Sequence, residues 1–172
     1  MEYFRLMQSG LSVYQAEIPQ LRRDTGILRP GAYAKLLHKG TGSAAYQIKN
    51  TVLTDFIEEP VFLVSDELFL VLEMYEPALE NCTVLFFGGE EGKAQRYRQI
   101  VPDVLPCLSD RSEFFKDYSL KRLVFSESGI GRAKVFCAKG ILSRQIFISL
   151  DVAESILRRN FSGIAMNKIE TE

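Results

Sequence analysis

The chain holds a single histidine, His38, and three cysteines, Cys82, Cys107 and Cys137. Any imidazole-assisted nucleophile must use His38, with a thiol or hydroxyl brought to it by the fold. Leu36, Leu37 and Lys39 surround it in sequence, an ordinary setting for a helix end, and no GxSxG signature accompanies it. Metal chemistry is no better supplied, because one histidine and three scattered cysteines form neither CxxC nor HExxH. The carboxylates of Glu58-Glu59 and Glu90-Glu91 are sequence neighbours, so they diverge in a strand or loop and read as solvated charge. Gly40-Thr-Gly-Ser-Ala-Ala45 opens like a dinucleotide loop but lacks the final glycine and a clear strand before it, and reads as a linker. Ser126-Glu-Ser-Gly-Ile-Gly131 reads as a turn. These residues predict no catalytic centre, no metal and no cofactor. The enzymatic or small-ligand alternative is a pocket in the first third that gathers His38 with acidic side chains.

Basic residues come in short groups: Arg22-Arg23, Arg96 with Arg98, Lys121-Arg122 and Arg158-Arg159. In a strand, Arg96-Tyr97-Arg98 puts two cations on one face and the ring on the other. Each group is flanked by acids or apolar residues, and each is expected to be a solvated face. With 21 basic and 22 acidic residues the net charge is −1, so no global field attracts nucleic acid or an anionic membrane. No apolar run reaches the roughly 18 residues that span a bilayer. The first residues, Met1-Glu-Tyr-Phe-Arg5, lack the basic start and apolar core of a secretory signal. Three widely spaced cysteines predict small core side chains in a reducing cytosol, not a disulfide framework.

The elements that would position any site are clearest in Pro60–Pro77, PVFLVSDELFLVLEMYEP. Val61–Val64 favours a strand. Ser65 is a helix cap, Asp66 and Glu67 put negative charge on the first turn, and Pro77 forbids continuation. Leu68, Val71, Leu72 and Tyr75 form one stripe of the expected helix Asp66–Tyr75. Phe69, Leu70 and Met74 lie off that stripe, and this apolar surplus must be buried in the chain or covered by a partner. Those three are the candidate partner contacts, the partner being a second protein or a second copy of this chain.

A related unit recurs as Ile146–Arg159, IFISLDVAESILRR, where Asp151 and Glu154 match a capping box and Asp66 aligns with Asp151. An opening strand is expected at Glu2–Met7, a short helix at Ala32–His38, a further strand at Ala44–Lys49 and a short linking element at Val52–Ile57. Thr83–Phe87 and Ala94–Val101 read as a hairpin across Gly88–Gly92, and Asp103–Leu108 as an edge segment between prolines. A second hairpin is expected from Lys121–Ser126 and Ala133–Ala138, with Arg144–Leu150 added and Ile164–Ile169 closing. A hydrophobic share of 47% and a charged share of 25% over 172 residues suit a globular chain. These signals predict an α+β fold with a mostly antiparallel sheet in one continuous domain, with residues 1–59 a poorly defined, loop-rich part that carries the opening strand and residues 60–172 the core.

Pro60–Pro77, Cys107–Phe114 (CLSDRSEF) and ISLDVAESILRRNFSGIAMNKIE, with Met1–Leu6 more loosely, resemble a bacterial family of small uncharacterised proteins grouped with polymorphic-toxin immunity proteins. The likeness spans Pro60 to Glu172 and rests on strands, caps and core stripes. It implies a non-enzymatic cytoplasmic protein that binds and neutralises a toxin domain, with no catalytic residues to carry over. The apolar Phe69-Leu70 pair departs from the charged residues expected there.

Overall fold

The computed structural model describes residues 1–9, 44–47, 53–59, 61–87 and 94–172, with 44–47 described as backbone. The expected helix Ala32–His38, the Gly40 linker, Arg22-Arg23, Glu90-Glu91 and the Gly88–Gly92 turn lie outside these residues.

The fold is α+β, with mostly antiparallel sheets. Six strands order as β10-β13-β1-β12-β11-β7: β1 (Tyr3–Gln8), β7 (Asp103–Leu105), β10 (Val124–Phe125), β11 (Val135–Ala138), β12 (Ile146–Ser149) and β13 (Ile164–Thr171). Five order as β2-β5-β6-β4-β3: β2 (Ala44–Gln47), β3 (Phe56–Ile57), β4 (Leu63–Ser65), β5 (Glu80–Phe87) and β6 (Gln95–Val101). The strands β8 (Glu113–Phe114) and β9 (Leu120–Arg122) pair separately. The helices are α1 (Asp66–Tyr75), α2 (Glu127–Ile130) and α3 (Leu150–Leu157).

One core joins both sheets through α1 and α3. Val64 and Ile100 enter it from the five-stranded sheet, and Leu6, Ile146 and Ile148 from the six-stranded sheet. Leu68 and Leu72 of α1 and Val152 and Ile156 of α3 fill the space between. The reverse faces are buried as well, by Phe125, Phe136 and Phe147 on the larger sheet and Val84, Phe86 and Tyr97 on the smaller. Strands buried on both faces read as continuous apolar runs, which is why IFIS and FLV show no alternation. The first strand is interior: β1 lies between β12 and β13, with Tyr3 opposite Ser149 on one side and Ile169 on the other.

The expected cap at Ser65 is present, its Oγ accepting from the Leu68 N–H at 3.3 Å. The capping box at Asp151 is not. Helix α3 starts earlier, with Ser149 as its cap residue, so Asp151 sits inside the first turn. Its carboxylate takes the Lys134 ammonium at 2.7 Å, which holds its pKa below the usual aspartate value, while Glu154 pairs with Arg158 at 3.0 Å. Superposing the caps aligns Ser65 with Ser149, one residue away from the register that matches the two aspartates.

The hairpin expected from Lys121–Ser126 and Ala133–Ala138 also fails. The strand β10 runs parallel to Glu170–Thr171 of β13, and β11 pairs with β12 and β7. Gly129 is not a hairpin turn but lies in α2, against the backbone of Pro106 and Cys107. The hairpin β5–β6, the edge strand β7 and the pairing of β11 with β12 are as expected. Among the described residues, no helix is long and apolar enough to cross a membrane.

Cys107 and Cys137 are buried and free. Burial pushes their thiols up from 9.0, to about 11 for Cys107 and about 12 for Cys137. The folded state thus favours the neutral thiols. Their contribution is intact below the unfolded value near 9 and is lost as pH rises through 11 and 12. The urea midpoint should therefore fall between about pH 8 and about pH 11, and alanine at both positions should make that fall shallower. An equally steep fall in the double variant would refute the thiol contribution.

Candidate functional site

Alternation along β6 sends Arg96, Arg98 and Ile100 to the helix side of the sheet and Tyr97 to the other. Register then decides what the cations meet. Val64 of β4 lies opposite Arg98, and β4 runs directly into α1, so the first helical residue, Asp66, arrives beside both guanidiniums. Arg98 donates its Nε–H to Asp66 Oδ1 at 3.1 Å, and Arg96 donates its Nε–H to Oδ2.

Arg98 is held at several points. Its Nη1 reaches Thr83 Oγ1 at 3.2 Å and Asn81 Oδ1 at 3.4 Å, and its guanidinium carbon stands 5.4 Å from the centre of the Phe69 ring. Arg96 is tied only at its Nε among the described residues, and its side chain is 57% exposed. Beside this pair opens a cleft of about 350 Å³, lined by Asp66, Phe69, Leu70, Glu73, Asn81 and the two arginines.

The three expected partner contacts separate here. Phe69 is 5% exposed, packed into the core beneath Arg98, and so is not a surface contact. Leu70 is 58% exposed and Met74 66% exposed. The cap-based alignment places Leu70 over Glu154 and Met74 over Arg158. At the same two positions, one helix turn apart, α3 carries an ion pair and α1 carries two apolar side chains.

The arginines of β6 were expected to be a solvated face; Arg96 is exposed, Arg98 is half-buried, and together they form the wall of the cleft. The signal was present in the alternation of Arg96 and Arg98 and in the acid on the first helical turn. What the sequence lacked was the pairing of β6 with β4. Glu58 is likewise engaged: Arg5 Nη2 donates to its Oε1 and the Gln8 N–H to its Oε2, each at 3.2 Å. His38 lies outside the described residues. Among the described residues, no group of three or more His, Cys, Asp or Glu side chains is placed to hold a metal. No family model matches the chain, and no curated protein matches it closely.

Proposed function

We propose that this chain is a non-enzymatic cytoplasmic binding protein of the immunity type, which neutralises a toxin domain by covering part of its surface. The observation that carries the reading is the exposed Leu70–Met74 pair beside the arginine-walled cleft. Apolar side chains at two successive solvent positions of a helix gain nothing in the monomer and gain burial in a complex. The resemblance in Pro60–Pro77 and in the C-terminal segment supports the choice of partner class.

The test is co-expression with a toxin encoded beside this gene. Wild-type protein should restore growth and be captured with the toxin domain, and Leu70→Glu with Met74→Glu should lose both. Because both side chains already face solvent, the double variant should keep its cooperative thermal transition. Undiminished capture and growth in a folded double variant would sink the reading.

A further inference from the structure

We infer that the cleft beside α1 takes a carboxylate side chain of the protein partner at Arg96, with an apolar residue two positions away from it seated on Leu70 and Met74. The inference rests on the binding reading above and names the chemistry of the partner segment.

Charge sets the first half. Two guanidiniums share the single carboxylate of Asp66, which leaves one positive charge in excess at this end of the cleft. Arg98 spends its Nε and Nη1 donors on Asp66, Thr83 and Asn81 and stands over the Phe69 ring, so it is the fixed part of the wall. Arg96 spends its Nε on Asp66, and its exposed terminal nitrogens make the planar fork that carboxylates bind in bidentate fashion. Glu73, the other acid of the lining, lies seven residues along α1, about 10 Å away along the axis. The cleft is therefore polar along its length, positive at Arg96 and negative at Glu73, with Leu70 between them. An extended segment of five residues covers that span with its first, third and fifth side chains on the cleft face. The matching segment has an acid first, an apolar residue third and a base fifth.

The experiment is an NMR titration of the whole chain with two capped peptides. One contains aspartate, leucine and lysine in that order at alternate positions, and the other has asparagine in place of aspartate. The aspartate peptide should shift the Arg96 Nε–H and the Leu70 and Met74 methyl signals and bind about threefold tighter, as expected for an ion pair at an exposed arginine. Arg96→Gln should erase the difference between the peptides, and salt should shrink it. Equal binding of the two peptides by the wild-type protein, or no shift with either, overturns the inference. Methyl shifts that grow with protein concentration in the absence of peptide would assign the face to a second copy of the chain and overturn it as well. If Leu70→Glu with Met74→Glu abolishes toxin capture while Arg96→Gln leaves it intact, this inference alone fails. If the aspartate peptide is preferred but no toxin is captured, the immunity reading fails and the acid-binding cleft stands.

Discussion

Phe147→Ala is expected to lower the unfolding free energy by about 3–5 kcal/mol, a large part of the roughly 5–15 kcal/mol that holds a domain together. Phe147 is fully buried, on the face of β12 turned away from the two core helices. Its ring meets Phe125 edge-on at 4.7 Å and lies 5.9 Å from Phe136, so truncation removes apolar burial and leaves both rings facing a void. The neighbours cannot close that void. Phe136 sits on β11, paired with β12 itself, and Phe125 sits on a two-residue strand tied to β13. Phe147→Leu keeps most of the volume and should cost under about 1.5 kcal/mol. Urea unfolding of the three proteins measures this directly. An alanine variant within about 1 kcal/mol of wild type would mean that the site collapses freely, contrary to the packing described.

Gly129→Ala is expected to cost about 3 kcal/mol, the upper end for overpacking. A Cβ at this position would stand 2.7 Å from the Pro106 carbonyl oxygen and 2.8 Å from Cys107 Cα. Alanine normally favours a helix over glycine by about 1 kcal/mol, but in α2 that preference is opposed by two backbone atoms that cannot swing aside. Relief requires α2 to move off Pro106–Cys107, which would break the bond from the Ser126 N–H to the Cys107 carbonyl at 2.9 Å. Ile130, part of the cluster over the outer face of the six-stranded sheet, would move with it. Gly131 is held for a different reason: nothing lies within 4 Å of its Cβ position, but its φ of +65° with a ψ of −119° is a backbone that glycine alone adopts readily. A Gly129→Ala loss below about 1 kcal/mol in urea unfolding would refute the close approach at Pro106–Cys107.

Local features of the sequence were enough for the elements built by local rules. Ser65, Asp66 and Glu67 mark a helix start whatever surrounds them, because the cap and the first-turn charges act on the helix's own N–H groups. Alternation in Gln95–Val101 identified a strand with two cations on one face for the same reason. The α+β class followed from the order of such units. Two misreadings at glycine and aspartate show where local rules stop. Gly129 had the look of a turn residue but is needed for a close approach to a chain segment more than twenty residues earlier. Asp151 had the look of a cap, but Ser149 stands at the end of the strand and claims that place.

The apolar surplus of α1 is where the division is sharpest. Sequence alone determined that Phe69, Leu70 and Met74 lie off the main stripe, since helical geometry assigns an angle to each residue. Which of them meets solvent depends on what packs around the helix, and that is a tertiary matter. Arg98 on β6 covers Phe69, while Leu70 and Met74 are left exposed. The same holds for the cleft, whose ion pairs join Asp66 to residues 30 and 32 positions further along the chain. No local pattern encodes that contact. It exists because β6 pairs with β4 and β4 turns directly into α1, so strand register brings the two guanidiniums to the first carboxylate of the helix.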